Sequence, residues 1–516
     1  MLSPEPQYVL ATDQDREVFN ALVPPDHYLR RAAAAIDFER FRPLTAAFYN
    51  PSLGRPAIEP VLLLKLEFLK YHDRLSDGQV IAQTQVNVAY REFLGLSLKS
   101  DLPDPSTLCR FRGRLGAKGF LRVFDDMIGQ AREHGLVKDR LRLKDATHVI
   151  ADVAIPSAIQ LVAGVRDRLL GALAAFDPLR VEGERAAAET IRVSDVSASP
   201  EQRLEARVTH LREILTWADV LAEEVRVAQP ADESNRRLLE QMLKLAHKVL
   251  ADRAHPEAGD KLVSLEDIDA RNGNHHGWYC GYLLDILMDA DSELVTGINV
   301  LAANGDEAAD AATLIRHEEE AHGNDIEALS ADAALHRGDV LRELSDPKGL
   351  DVEVFVPPVI PPEPAGFTPE DFALDEAGQT LTCPEGRQTT SRYRNRHDTG
   401  WIYQFSAKDC QACPRRTECF GQPSARAGRR VNKGDYVAEY RAVRRKAQTA
   451  EYQEVRRTHQ KVERKLGEIV RHHGGRRARC RGLPKVLIQE AMTALVVNVR
   501  RMTQLLCAGS TQSATG

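Results

Sequence analysis

Leu141-Arg142-Leu143-Lys144-Asp145-Ala146-Thr147-His148-Val149-Ile150-Ala151 reads with a period of two. Leu141, Leu143, Asp145, Thr147 and Val149 alternate with Arg142, Lys144 and His148, and that alternation predicts a β-strand. Asp145 falls on the same face as the apolar residues. A carboxylate on the core side of a strand is costly unless it is paired or metal-bound. The stretch therefore predicts both a sheet and a candidate site.

Downstream, strand character returns at residues 278–289, turns at Asp291-Ser292 and pairs back over 294–300 as a hairpin. A helix is expected over 308–320. Ile326-Glu327-Ala328-Leu329-Ser330-Ala331-Asp332 then reads as a short buried strand ending in a second acid, Asp332, with a helix over 337–344. Residues 158–253 interrupt the sheet with helical spacing (Leu204, Val208, Leu211, Leu215; Leu239, Met242, Ala246, Val249) broken at Gln229-Pro230-Ala231-Asp232. This predicts an antiparallel helical hairpin, a packing or oligomerisation element.

Upstream, residues 27–135 read as helical. Pro60 suits a first helical turn, Ser76-Asp77 offers an N-cap before a helix over 80–93, and Asp104-Pro105-Ser106-Thr107 offers another. The helix after it carries Arg110, Arg112 and Arg114, which would suit a helix-turn-helix recognition element reaching phosphates or guanine edges. A plain helix in a small bundle fits the same pattern.

A length of 516 residues points to two to four domains, and 43% apolar with 28% charged residues describes a soluble globular protein. No apolar run approaches the ~20 residues of a membrane span. The first 16 residues lack a basic-then-apolar signal, so a cytoplasmic location and no membrane partner are expected. Residues 356–364 form a proline-rich linker, followed by a hairpin over 372–383 turning at Glu376-Ala377-Gly378. Cys383, Cys410, Cys413 and Cys419 come next. In a reducing compartment, Cys410-x-x-Cys413 with two further thiols is a candidate structural zinc set, and four reduced cysteines in a loop are the plain alternative.

The last third is basic. Residues 426–485 hold 19 Lys+Arg against 6 Asp+Glu, in a chain of net charge −6. That is an electrostatic footprint for a polyanion such as DNA. Glu463 stands among those cations on an expected helix over 436–470, and an acid in a phosphate-binding surface repels the ligand unless a metal ion neutralises it. A final helix is expected over 485–506. Asp145, Asp332 and Glu463 thus stand apart as a carboxylate triplet able to hold Mg²⁺ or Mn²⁺ for phosphodiester chemistry. The order strand, hairpin, helix, strand, helix suits a mixed α/β, ribonuclease-H-like sheet.

Several blocks resemble bacterial insertion-sequence transposases of the DDE class. Arg55-Pro56-Ala57-Ile58-Glu59-Pro60, Leu75-Ser76-Asp77 and residues 105–112 are similar to that family's N-terminal DNA-binding region. Asp145-Ala146-Thr147 resembles the first-aspartate motif, Asp269-Ala270-Arg271 with Gly281-Tyr282 the block before the hairpin, and Ser330-Ala331-Asp332-Ala333-Ala334-Leu335 the second-aspartate motif. Val462-Glu463-Arg464-Lys465, followed by Gly474-Gly475-Arg476-Arg477-Ala478-Arg479, Gly482, Lys485-Val486 and Asn498, is the most specific block. The Cys383 to Cys419 segment is similar to one in a subset of the family. His459 stands where Arg is common, Ala146 where Gly is usual and Leu335 where Tyr is common.

The resemblance implies metal-dependent cleavage and strand transfer of element ends, with Asp145, Asp332 and Glu463 as catalytic metal ligands. Arg110, Arg112, Arg114, His459, Arg464, Arg476, Arg477 and Arg479 are the expected DNA contacts. The implied partners are double-stranded DNA, both terminal inverted repeats and target, and further copies of the chain on that DNA. The expected organisation is a helical N-terminal domain (27–135), a catalytic domain (139–157, 263–350, 426–506), a helical hairpin insertion (158–253) and a Cys-rich hairpin insertion (366–425). The alternatives are a decayed transposase acting as an end-binding protein or repressor, and a stand-alone nuclease of the same fold.

Overall fold

The expected first strand is Arg142–Ile150 (β1), and it lies at the centre of a six-stranded sheet. The other strands are Arg271–Asn274 (β2), Trp278–Asp289 (β3), Val295–Ala302 (β4), Ala328–Ser330 (β5) and Glu353–Phe355 (β6). The computed structural model describes residues 8–513 except 51, 55, 229–231, 275–276, 360–365, 396–398 and 422–426. The break expected at 229–231 and much of the linker at 356–364 fall outside the described residues. Among the described residues no helix is long and apolar enough to cross a membrane.

β3 pairs antiparallel with β1, placing Ile286 opposite Asp145, and antiparallel with β4, forming the expected hairpin. β5 runs parallel to β1, and β6 parallel to β5. The order is therefore β4-β3-β1-β5-β6, with β2 added to β3. β2 and β6 escape a pattern reading because Arg271-Asn272-Gly273-Asn274 has no apolar alternation and Glu353–Phe355 is only three residues long.

Both faces of β1 are buried. Leu143 and Val149, with Tyr282, Leu284, Ile286 and Met288 of β3, pack against the helices Ala450–His472 and Leu483–Ser513. The polar half of the alternation is buried as well, on the side of the helix Glu307–His322. Arg142 is fully buried there and pairs with Glu318 at 2.6 Å and Asp289 at 3.0 Å, while Lys144 Nζ lies 2.8 Å from Asp285. Buried charges persist only when so matched.

Helices run from Asp13 to Glu133, so the helical region begins before residue 27. Ser76 caps its helix as expected, accepting from the Gln79 N–H at 3.2 Å. The arginine-bearing helix is longer than expected, Ser106–Glu133, and kinks where Gly116 takes φ +59°. Phe68, Phe111, Phe124 and Met127 share one core with Leu495, Val499 and Met502 of the final helix. The N-terminal region is thus packed on the chain's C-terminal end and has no separate core.

The insertion corrects the hairpin expectation. It holds four helices, Ala158–Leu173, Pro178–Ser194, Pro200–Ala228 and Glu233–Ala254, around a core including Leu161, Leu169, Leu211, Ile214, Leu239 and Leu243. The Cys-rich insertion consists of two three-stranded sheets over a core of Phe372, Leu381, Tyr403, Phe405 and Val431. Its last strand, Arg430–Gly434, lies beyond the expected boundary at 425.

Candidate active site

The three acids sit on elements that pack together. Asp145 is in mid-β1, Asp332 follows β5 directly, and Glu463 lies on the helix Ala450–His472, whose Val462, Leu466 and Ile469 pack in the core that contains Leu143 and Val149. Asp145 is half-buried, and its carboxylate accepts from the Ala146 N–H at 2.8 Å. Burial pushes this carboxyl up to about 7; the Ala146 N–H holds it down, and the charges of Asp332 and Glu463 push it up further. Residues 187 and 318 positions downstream of Asp145 thus act on it through space. Asp332 and Glu463 are exposed, and the Asp332 carboxylate accepts from the Ala334 N–H at 3.0 Å.

Sequence reasoning missed the groups that hold this arrangement. Arg456, one turn before His459, donates to the Ala331 carbonyl at 2.6 Å and to Ser330 Oγ at 3.3 Å. His459 Nδ1 lies 3.2 Å from the same hydroxyl. Together they tie the strand leading to Asp332 to the helix bearing Glu463. Glu307 is a fourth carboxyl nearby, raised by burial, lowered by Lys144 and raised again by Asp332. An Arg on a helix and a Glu at a helix start are too common for either to have signalled itself.

The expected DNA contacts separate into open and committed side chains. Arg464 and Arg477 are exposed, and among the described residues neither guanidinium makes a hydrogen bond or ion pair. Arg110 is exposed and donates to Thr107 at 3.1 Å, and Arg114 stacks 4.4 Å above the Tyr49 ring. Arg112 is tied to Glu67 and, at 2.6 Å, to Asp77. Arg476 donates to the His148 carbonyl at 2.7 Å, and Arg479 to the carbonyls of Arg74 and Leu75 at 2.8 and 3.1 Å. His459, expected at the DNA surface, is only 3% exposed, and burial pushes its imidazole down to about 4. It is neutral and internal because its helix turns that position onto β5.

Asp332 and Glu463 lie near enough to act electrostatically on Asp145, and carboxylate oxygens are the donors a hard divalent cation prefers. Among the described residues no group of three or more His, Cys, Asp or Glu side chains is arranged so as to hold a metal ion.

Residues 17–114 match the family described as Transposase domain (DUF772), and residues 382–503 match the family described as Transposase DDE domain. Both matches point to the insertion-sequence transposases of the DDE class, which these two segments resemble. A curated relative from Rhizobium meliloti, an uncharacterized protein named ORF8 in the nfe locus, is 30% identical over 128 residues, which is 24% of this chain. The chain spans 61% of that relative's length. No solved structure matches. Glu463 and the basic stretch after it fall inside the second matched segment, and Arg110, Arg112 and Arg114 inside the first. Asp145 and Asp332 lie between the two.

Proposed function

We propose that this chain cuts and rejoins the ends of a DNA element, on a ribonuclease-H-like sheet whose Asp145, Asp332 and Glu463 hold Mg²⁺ or Mn²⁺. The observation that carries this reading is the shared field at Asp145. Asp332, just after β5, and Glu463, on its helix, both lie near enough to Asp145 in β1 to raise its carboxyl electrostatically, and Lys144 offsets them there. Such a grouping is unfavourable without cations and suits a metal-binding role. The strand order β4-β3-β1-β5-β6, antiparallel on one side of β1 and parallel on the other, supports the same sheet.

A metal bound there would supply Lewis-acid activation of the attacking oxygen and neutralise the leaving one. The protein's own part is placement. The Ala146 N–H fixes the Asp145 carboxylate, the Ala334 N–H fixes that of Asp332, and Arg456 with His459 holds the two segments in register. Arg464 and Arg477 would neutralise phosphates of the bound duplex, where contacts position DNA without reading sequence. Arg110 and Arg114 would do so from the N-terminal region.

The test uses purified chain and duplex DNA carrying the sequences that flank its gene. Nicking is expected with Mg²⁺ or Mn²⁺, followed by joining. Asp145→Ala should abolish cleavage while retaining DNA binding. Robust cleavage by Asp145→Ala would overturn the assignment. Binding of the ends by the unaltered chain, with neither metal yielding a nick, would instead identify an end-binding protein without chemistry. Cleavage independent of the ends and without joining would identify a nuclease.

A further inference from the structure

The Cys-rich insertion is too lightly built for its size. The described residues of 366–434 pack over a buried apolar cluster of Phe372, Leu381, Tyr403, Phe405 and Val431. A module of that length ordinarily needs a staple, either a disulfide or a metal. Its four cysteines are all free thiols, and Cys383, Cys410 and Cys419 pack against this small core.

The four cysteines lie at turns and on a short helix, three of them against that core. Cys383 opens a tight turn in which the Gly386 N–H donates to the Cys383 carbonyl at 2.8 Å, with Gly386 at φ +75°. Cys410 and Cys413 flank a second turn, closed by the Cys413 N–H on the Cys410 carbonyl at 3.4 Å. Cys419 lies on the short helix Arg416–Phe420, and its carbonyl accepts from the Phe367 N–H at 3.1 Å. The Arg429 N–H donates to Cys410 Sγ at 3.4 Å, as it would to a thiolate. All three other sulfurs are near enough to act electrostatically on Cys419, and the Arg429 guanidinium acts on it with the opposite sign.

We infer that Cys383, Cys410, Cys413 and Cys419 form a structural zinc site that staples the Cys-rich insertion. Among the described residues the thiols are not arranged as a metal-binding group, and the ion would draw them together. Each thiol releases its proton to solvent and forms one Zn–S bond, giving a tetrahedral S₄ site with net charge −2. Arg429 and Arg415 lie beside these sulfurs to offset that charge. No position stays open for substrate, so the ion is structural. The inference does not depend on the proposed reaction.

Metal analysis of the purified full-length chain after desalting should return about one zinc per chain. Cys410→Ser combined with Cys413→Ser should lose it, and Asp145→Ala should keep it. Should the serine variant fail to fold, cobalt-substituted unaltered chain provides the reading, with strong thiolate-to-cobalt charge-transfer absorption and tetrahedral d–d bands expected. A chain without stoichiometric zinc, a serine variant that retains it, or a cobalt form without thiolate bands would each overturn the site.

Discussion

His459 and Arg464 lie five residues apart on one helix, yet their surroundings give them opposite roles. His459 is buried and neutral beside Ser330, so it can support only the fold. His459→Ala should cost about 1–3 kcal/mol of stability and leave the salt dependence of DNA binding unchanged. Arg464→Ala should leave stability within about 0.5 kcal/mol and reduce the slope of log affinity against log salt by about 1. Thermal melts and DNA titrations at several salt concentrations separate the two, and a His459→Ala protein with a reduced slope would contradict the placement. Glu490 offers a pH test at the same scale. Burial pushes its carboxyl up to about 8, even though Gln489 donates to it at 2.9 Å and Arg479 lies near. The folded chain therefore keeps a proton that the unfolded chain releases near pH 4.5. The stability this provides is full below that pH and is lost as pH rises through about 8. Glu490→Gln cannot ionise, so its melting temperature should exceed that of the unaltered chain at pH 9 and match it near pH 5. Equal melting temperatures at pH 9 would refute this.

At the scale of elements, what was legible followed periodicity. β1, β3 and β4 were readable because eight to twelve residues of alternating or apolar sequence suffice to set a strand, and Asp145 stood out as a carboxylate on its apolar face. The burial of Arg142 and Lys144 was not readable, because their partners Glu318, Asp289 and Asp285 lie more than 140 residues away. Sequence distance also hid Arg456, whose partners Ser330 and Ala331 lie 126 and 125 residues away and which matters only once β5 is laid beside its helix. Gly338 is another case. A Cβ there would lie 2.1 Å from Tyr436 Cβ, and its N–H donates to the Tyr440 hydroxyl at 3.0 Å. The helix Val437–Lys446 therefore closes on the segment six residues beyond Asp332 only because that residue lacks a side chain. Gly338→Ala should push the helix away, lower the melting temperature and reduce cleavage at least tenfold while DNA binding persists. Calorimetry with a nicking assay checks it, and unchanged values in both would mean the contact is slack.

For the whole molecule, the division into domains follows the cores more closely than the chain order. The N-terminal helices and the final helix share one apolar cluster, and Arg479 adds hydrogen bonds to the carbonyls of Arg74 and Leu75. Removing residues 1–135 would strip one wall from that cluster and expose the final helix, whose Leu495, Val496 and Val499 are fully buried. Exposing such a face costs about 25 cal/mol per Å² and leaves an aggregation-prone patch. The helical insertion is different, because its four helices bury their own core and meet the sheet domain through joints such as Arg168 with the Leu265 carbonyl at 2.7 Å. Replacing residues 158–254 by a Gly/Ser linker of about 15 residues, which spans roughly 20 Å, should leave a soluble protein with a cooperative melt. Deleting residues 1–135 should instead yield insoluble or molten material. Circular dichroism and thermal melts of the two truncations decide it: a well-folded, soluble 136–516 fragment would mean that the shared cluster is two cores in contact.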